Sequence, residues 1–539
     1  MPPLTISDID TQRANSGLLS TTVAGYTSSD LFKSSNSNRH AESRSLHHRL
    51  SVESRNFFGS ELKKSSNQVF KTHMIPLGTG RPTSEFYPWD SVTIYKTPIR
   101  REISSACSTN NANMLPESRT IAKKGGDYDI ARGLNYSHAA GLPALLRFVT
   151  EHVELVHNPP YKNWATCLSC GSTSALEVAL RIFCNRGDSI LTESYTYPGA
   201  VAVAHLLGVH TIGIEMDAFG LMPDSLERTL RTWDESRGPR PTVLYTIPSG
   251  QNPTGVTQSL QRKNDIYQVA EDYDLVVIED DPYYFLCMDL GLDTVEKLNS
   301  ADRDALATAS GYLASLPSSL LALDISGRIV RLDSFSKILT PGLRAGWVTA
   351  SDQIIDKFIA YYEVSTVAVS GPTQLMLLDL LDTTWGHLGF FSWLDQLSIQ
   401  YRSRLRILLN ACDQYFPKEV CKWTPPQNGM FLWTSLDLRK HPIILSRDQK
   451  EHNLSPADNP ACDIEARILA KALEKGVQIT MGSLFSTNQT PITKVYFRMT
   501  FAAADESEIE VGIEKVASVI REEFAIDTFY KEIREEGSS

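Results

Sequence analysis

The sequence has few cysteines and no long apolar run. Eight cysteines are spread over 539 residues, too few and too scattered for a disulfide framework, so a reducing compartment is the simpler expectation. No window approaches the roughly 18 to 20 consecutive apolar residues that a membrane-spanning helix needs. The N-terminal segment also lacks the basic and apolar regions of a secretory signal, because Asp8 and Asp10 stand there. We therefore expect a cytoplasmic protein without a membrane partner.

Clustered positive charge is also missing. The chain has 52 Lys and Arg against 63 Asp and Glu, which gives a formal net charge of -11. A nucleic-acid-binding surface needs concentrated Lys and Arg to neutralise phosphates, so nucleic acid is not an expected partner. The CxxC pair Cys167 and Cys170 has no second pair or paired histidines nearby in sequence to complete a zinc site. We interpret both cysteines as structural and expect no metal.

The composition changes along the chain. Residues 1–66 are rich in Ser and Thr and poor in large apolar residues, which indicates a disordered extension with a short helical stretch near Leu46 to Leu50. Apolar runs separated by Gly and Pro follow. We predict an N-terminal arm of a small domain at residues 67–115, a large domain at 116–395 and the rest of the small domain at 396–539.

Short β-like runs alternate with helix-like segments through the predicted large domain. The runs are SILTE, TIGIEM, VLYTIP, LVVIED and IVRLDSF. Their lack of polar alternation is typical of strands covered on both faces. The pattern predicts an α/β fold with a mainly parallel sheet flanked by helices, followed by a smaller C-terminal α+β domain. Ligands of such sheets gather beyond the carboxyl ends of the strands, where we expect the chemistry.

Lys337 follows one of these strands, in the segment SFSKILTPGLR from Ser334 to Arg344. One interpretation is the SxxK motif of serine β-lactamases with Ser334 as nucleophile, but the companion motifs SDN and KTG are absent. A second is a lysine that forms a Schiff base with a cofactor whose phosphate contacts the nearby hydroxyls and Arg344. A third is a solvated lysine after a strand.

Three further strand ends carry side chains that suit a pyridine cofactor. The acids of IEDDPY can keep a pyridine nitrogen protonated, which makes the ring an electron sink. Asn252 of QNPTG can donate to a ring oxygen. The segment SCGSTS opens a helix whose free N–H groups suit a phosphate. Each also has an ordinary interpretation, namely a solvated acidic turn, an Asx-Pro turn and a Ser/Thr helix cap.

Taken together, these motifs resemble the class I/II aminotransferases of pyridoxal 5′-phosphate (PLP) fold type I. Within that family they are most similar to fungal aromatic amino acid aminotransferases and α-aminoadipate/kynurenine aminotransferases. QNPTG, EDDPYYF, SFSKILTPGLRAGW and YFRMTFA occur in the family's order, and the resemblance extends from about Ser51 to Ser518. It implies PLP as cofactor, the two-domain fold described above and a homodimer.

The resemblance also implies a role for each matching residue. Lys337 corresponds to the catalytic Schiff-base lysine. The other positions in the same cofactor site are Ser172, Thr173, Ser334 and Arg344 at the phosphate, Asp280 at the pyridine nitrogen, Asn252 and Tyr283 at the ring oxygen, and Tyr197 stacked on the ring. Tyr136 resembles the tyrosine lent to the phosphate of the partner subunit. Arg498 and Gly80 resemble substrate-binding residues, with Arg498 gripping the α-carboxylate.

The resemblance leaves two questions open, namely which acid faces the pyridine nitrogen and which substrate side chain is preferred. Asp281 with Tyr284 has the same spacing as Asp280 with Tyr283, so the choice of Asp280 depends on the family's register. The family's Gly-Leu-Pro and Gly-Gly-Met appear here as Gly80-Arg81-Pro82 and Asn428-Gly429-Met430. These departures leave the side-chain specificity undetermined.

The implied activity is ping-pong transfer of an amino group from an L-amino acid, with aromatic side chains as first expectation, to a 2-oxo acid. Donors such as 2-aminoadipate, kynurenine or a specialised-metabolite precursor are alternatives, as is β-elimination on the same cofactor. A PLP-sensing transcription regulator is the non-enzymatic alternative. It needs a basic N-terminal helix-turn-helix, and the Ser-rich residues 1–66 do not predict one.

Overall fold

The computed structural model describes residues 4–17, 19, 23–34, 41–63, 77–78, 80–96, 117–126, 128–288, 309–448, 460–487 and 493–526. The chain divides into two compact units that are each assembled from separate stretches. The first unit comprises Met1–Arg186, Asp274–Pro282 and Leu298–Gln396, and the second comprises Gly187–Tyr273, Tyr283–Lys297 and Leu397–Ser539. Much of the predicted arm at 67–115 lies outside the described residues.

Strands are present in both units. In chain order they are β1 (Ser91–Lys96), β2 (Glu117–Ala122), β3 (Trp164–Ser169), β4 (Ser189–Glu193), β5 (His210–Ile214), β6 (Met216–Asp217), β7 (Gly220–Leu221), β8 (Val243–Thr246), β9 (Val276–Asp280), β10 (Ile329–Ser334), β11 (Gly346–Ser351), β12 (Cys421–Trp423), β13 (Phe431–Asp437), β14 (Thr480–Met481) and β15 (Lys494–Thr500). The five predicted runs correspond to β4, β5, β8, β9 and β10, so these strand predictions are confirmed.

Helices cover these strands and connect them. In chain order they are α1 (Ile6–Asn15), α2 (Ile130–Gly133), α3 (Pro143–Val156), α4 (Ser172–Phe183), α5 (Pro198–Leu206), α6 (Pro223–Arg231), α7 (Leu260–Asp272), α8 (Ala309–Ser315), α9 (Asp352–Val364), α10 (Gly371–Leu378), α11 (Gly386–Tyr415), α12 (Pro442–Asp448), α13 (Pro460–Glu474) and α14 (Glu506–Glu523). A π-helical stretch at Asp379–Trp385 joins α10 to α11. No described helix combines the length and the apolar character needed to cross a bilayer.

Besides the antiparallel pair β1 and β2, the first unit contains four strands in the spatial order β3, β11, β10, β9. Strands β9 and β10 run parallel, whereas β11 is antiparallel to both β10 and β3. All four strands are buried along their length, because α4 packs against β10 and β11 while α3 and α9 pack against β3. The buried, apolar character of these strands is what the sequence pattern predicts for a sheet covered on both faces.

Besides the short antiparallel pair β6 and β7, the second unit contains two groups of strands. Strands β8, β4 and β5 are parallel neighbours, and α5 and α6 pack on β5. The C-terminal part forms an antiparallel sheet in the order β12, β13, β15, β14, with α13 packed on β15 and α14 on α13. The two groups confirm the predicted combination of mainly parallel strands with a C-terminal α+β region. The domain boundaries at 67–115, 116–395 and 396–539 stay predictions.

The N-terminal extension differs from the expectation of disorder. Helix α1 lies within residues 1–66, and Arg13 on this helix donates from Nε to Glu151 at 2.9 Å and pairs with Asp382 at 2.9 Å. Glu151 is only 2% exposed, so Arg13 neutralises a buried carboxylate. The Ser- and Thr-rich composition of residues 1–66 does not reveal this contact, because one arginine side chain makes it. The short helical stretch expected near Leu46 to Leu50 is confirmed as a 3-10 turn at His47–Arg49.

Candidate active site

Lys337 lies in the turn that follows β10 and is half-buried. Its neighbours are fixed on both sides. The ring of Phe335 packs on Trp347 with 4.9 Å between ring centroids, and the carbonyl of Ile338 accepts a 2.7 Å hydrogen bond from Trp393 Nε1. The backbone that carries Lys337 is therefore held by buried residues, while the lysine itself is partly accessible.

A set of anion-binding groups surrounds the start of α4. Gly171 precedes this helix with a φ of 91°, no side chain caps the helix, and its first turn carries no acid. A Cβ at position 171 would lie 2.4 Å from Arg344 Nη2, so only glycine allows this close approach. The structure thus brings Arg344 to the turn that bears Ser172 and Thr173.

Backbone N–H groups, two hydroxyls and a guanidinium at one helix terminus form a donor set that suits a phosphate dianion. Arg344 is held there because its Nη1 donates to Ser336 Oγ at 3.3 Å and to the carbonyl of Pro341 at 3.0 Å. Ser334, at the end of β10, is buried, and its Oγ accepts from the N–H of Ser336 at 3.1 Å. The residues present therefore fit the phosphate of PLP.

The two neighbouring acids after β9 differ in their surroundings. Arg331 Nη1 lies 3.1 Å from Glu279 Oε1 and 3.2 Å from Asp281 Oδ2. Because side chains alternate along a strand, Asp280 faces the side opposite Glu279 and Asp281. Asp281 thus belongs to a buried ionic cluster around Arg331. Asp280, at 6% exposure, is the acid outside that cluster.

The cluster around Arg331 carries more acids than bases. It also contains Asp333, which pairs with Arg331 Nη2 at 3.0 Å. Burial raises the pKa of Asp333 to about 6, although the attraction of Arg331 opposes this shift. The cluster is therefore a structural network, and it uses Asp281 rather than Asp280.

The second unit brings the predicted substrate arginine to the predicted asparagine. Arg498 on β15 donates from Nη1 to Asn252 Oδ1 at 2.8 Å. Its guanidinium lies 4.2 Å from the ring centroid of Phe431 and 4.8 Å from that of Phe485. Tyr283 packs edge-on against Phe431 at 5.6 Å. Burial lowers the pKa of Arg498 from its ordinary value. Asn252 Oδ1 thus accepts a hydrogen bond from Arg498, and the side-chain N–H groups are the atoms through which Asn252 can donate.

Three predicted site residues remain, namely Tyr197, Tyr136 and Gly80. Tyr197 precedes α5 and its ring lies over Gly199, where a Cβ would be 2.3 Å from the ring. Tyr136 is 55% exposed, and Gly80 is exposed as well. The structure leaves Tyr136 and Gly80 at the surface of the described chain, so their assigned roles stay predictions.

Sequence reasoning missed the two rings that hold Arg498. Phe431 is the first residue of β13 and directly follows Asn428-Gly429-Met430, and Phe485 lies after β14. No short motif contains either ring together with Arg498. Strand alternation puts Phe431 and Trp433 on the same face of β13, and the observed register then pairs Trp433 with Arg498 on β15. A pairing of this kind cannot be read from either segment alone.

The comparisons with known proteins agree with this geometry. The family described as Aminotransferase class I and II matches residues 107–516. The chain is 44% identical over 478 residues to aminotransferase swnA of Arthroderma benhamiae, which covers 88% of this chain and 91% of that protein. It is 39% identical over 445 residues to an aromatic amino acid aminotransferase of Schizosaccharomyces pombe, covering 82% of this chain and 87% of the relative.

A solved structure extends the similarity to the fold. The crystal structure of aminotransferase Aro8 from Candida albicans matches with a TM-score of 0.79 and 35% identity, covering 90% of this chain and 100% of that chain. The family match, the identities and the fold agree with one another. This chain therefore belongs to the class I and II aminotransferase family and is a PLP-dependent aminotransferase.

Proposed function

We propose that this aminotransferase takes its amino group from an aromatic L-amino acid and passes it to a 2-oxo acid in a ping-pong cycle. The observation that carries the general reaction is the placement of Arg498, whose guanidinium is fixed between Phe431 and Phe485 and bonded to Asn252. The remaining N–H groups of Arg498 suit the α-carboxylate that both substrates share. The name of the Schizosaccharomyces pombe relative favours aromatic side chains.

Each residue of the site has a distinct task in this proposal. Bound PLP supplies an electron sink for negative charge at the substrate α-carbon. By the family resemblance, Asp280 would keep the pyridine nitrogen protonated, and Asn252 and Tyr283 would donate to the ring oxygen. Lys337 would hold the cofactor between turnovers, and its amine, once freed by the substrate, would act as the general base for the α-carbon proton. Ser172, Thr173, Ser334 and Arg344 would hold the phosphate, and Tyr197 would pack on the ring.

A substrate panel tests the aromatic assignment. With 2-oxoglutarate as acceptor, we expect kcat/KM for phenylalanine, tyrosine or tryptophan to exceed that for the aliphatic 2-aminoadipate by about 10-fold or more, because a pocket shaped for an aromatic ring gains binding from it. The keto acids are identified by mass spectrometry, with alanine as a small-side-chain control. A preference for 2-aminoadipate contradicts the aromatic assignment, a preference for kynurenine, which also carries a ring, replaces the three donors named above, and release of ammonia with pyruvate from a serine or cysteine conjugate favours β-elimination.

We further propose that the active unit is a homodimer with shared sites. Large rings near the N-terminal arm are strongly exposed, with Phe86 at 83% and Tyr95 at 70%. Exposed apolar surface of this kind is typical of a protein interface. Tyr136 is also exposed, and its hydroxyl then donates to the phosphate in the partner subunit. Gly80, in the same arm, then contacts the substrate. The cytoplasmic location stays a prediction from the sequence.

Removing the Tyr136 hydroxyl tests the shared site. Tyr136→Phe should raise the dissociation constant of PLP about 10- to 100-fold, since a hydrogen bond to a charged group contributes about 1.5 to 3 kcal/mol. Thermal unfolding of the PLP-free protein should not change. Tyr415→Phe is the control, because it also removes one hydroxyl, which donates to Glu510 at 3.1 Å.

Mixed dimers give the sharper result. Tyr136→Asp, which brings a negative charge to the phosphate, and Lys337→Ala should each be inactive alone. A mixture of the two should regain activity, because one site of each mixed dimer then carries both lesions and the other carries none. A fully active monomer by light scattering rules the shared site out.

A further inference from the structure

Two buried phenylalanines enclose the guanidinium of Arg498. We call Phe431 and Phe485 the Arg498 clamp. The carbon at the centre of the guanidinium lies 4.2 Å and 4.8 Å from the two ring centroids, and Phe485 is 3% exposed. A cation held against an aromatic face away from water is attracted by the ring. The clamp therefore limits the directions in which the N–H groups of Arg498 can point.

The backbone of Phe485 is attached to the segment before Tyr197. The carbonyl of Phe485 accepts from the Thr196 N–H at 2.9 Å, and the Thr487 N–H donates to the Ser194 carbonyl at 2.9 Å. Tyr195 and Ser486 face each other in this short antiparallel bridge. The segment that carries Phe485 thus cannot move without moving the residue directly before Tyr197.

A second set of hydrogen bonds connects Arg498 to the same segment before Tyr197. Arg498 donates to Asn252 at 2.8 Å, and the neighbouring Gln251 donates from Nε2 to the Tyr195 carbonyl at 2.6 Å. Arg498, Asn252, Tyr195 and Phe485 are therefore linked through two independent routes within the second unit. Phe431 also contacts Tyr283, which has an assigned role in the site, whereas the other ring contact of Phe485 is with Trp433 at 5.9 Å, which has none. Phe485 is therefore the clamp residue whose replacement affects Arg498 more selectively.

We propose that Phe485 is a positioning residue that orients Arg498 for the α-carboxylate of both substrates. This inference rests on the proposed role of Arg498. The amino acid and the 2-oxo acid both carry an α-carboxylate. Loss of the aromatic face of Phe485 therefore weakens the binding of both substrates by the same factor. Since Phe485 acts through its contact with Arg498, the turnover of bound substrate changes little.

Substitutions that keep or remove the ring test the proposal. Phe485→Leu should raise KM for the amino acid and for the 2-oxo acid by equal factors of about 3- to 30-fold, with kcat within about 2-fold of the original. Phe485→Tyr, which retains the aromatic face, should restore most of both values. Phe524→Leu is the matched control, because Phe524 is a buried ring of the same unit that packs on His441 at 4.9 Å.

A binding measurement separates positioning from general damage. The dissociation constant of 3-phenylpropionate, a carboxylate without the amine, is read from the absorption of bound PLP and should rise by the same factor in Phe485→Leu. Unchanged KM values and dissociation constant, or a loss confined to kcat, overturn the proposal. If Phe485→Leu fails to fold, Phe485→Met is measured with the same criteria. Should Arg498→Lys leave both KM values unchanged, the assignment of Arg498 fails instead, and the two failures are thereby distinguished.

Discussion

Lys337→Ala should lower kcat by about 10⁴-fold or more and remove the covalent link between protein and PLP. General base catalysis alone contributes up to about 10⁴-fold, and the same amine also holds the cofactor. The substituted protein should lose the near-visible absorption of the linked cofactor, and borohydride should no longer fix PLP to the chain. Folding should be retained, because Phe335 and Ile338 hold the turn through Trp347 and Trp393.

Lys357 provides the control for this experiment. It is half-buried in the first unit and donates to the Phe57 carbonyl at 3.3 Å, outside the proposed site. Lys357→Ala should keep the absorption, the borohydride-reducible link and the turnover. Peptide mapping after reduction identifies the modified lysine. A link that persists in Lys337→Ala on another lysine shows that the central assignment is wrong.

The second large effect is expected at Asp280. Asp280→Asn should retain PLP but lower kcat about 10²- to 10³-fold, which is the usual loss when one preorganised electrostatic group is removed from a reacting centre. The amide cannot hold a proton on the pyridine nitrogen as a carboxylate does. Cofactor content, measured by absorption after denaturation, should stay near the original because the phosphate contacts are unchanged.

Asp281→Asn should affect the stability of the protein more than its turnover. Asp281 lies in the buried cluster around Arg331, and Glu279 and Asp333 still neutralise the guanidinium after the change, so the free energy of unfolding should fall by only about 1 kcal/mol. The kcat of the folded fraction should change far less than in Asp280→Asn. Urea unfolding and kcat are measured on both variants. A larger fall in kcat for Asp281→Asn means that the neighbouring acid holds the pyridine nitrogen.

The parts of the fold that depend on local pattern were predictable from the sequence. Strands β8, β9 and β10 are short apolar runs, and the motifs that follow them contain Asn252, Asp280 and Lys337. Periodicity and turn residues act over a few positions, so one sequence contains them. The antiparallel direction of β11 was not predictable in this way, because a buried strand has the same apolar pattern in either direction.

Contacts between distant segments account for what was missed. The Arg498 clamp joins residues from β13, β15 and the turn after β14, and no short motif describes it. The distinction between Asp280 and Asp281 also needed the position of Arg331, about fifty residues later on the neighbouring strand. The sequence offers both acids as candidates, whereas the structure shows that Asp281 belongs to the cluster around Arg331.

The anchoring of α1 by Arg13 implies an order of events during synthesis. Arg13 and Glu151 are 138 residues apart, so at about 5 to 20 residues per second the helix waits roughly 7 to 30 s for this partner. Asp382 is made later still. A helix of 10 residues is marginal in isolation, so α1 stays unfolded on the growing chain until its partners are made. Helix α1 therefore folds only after segments that are synthesised much later, and this stretch of the nascent chain remains accessible to chaperones during that interval.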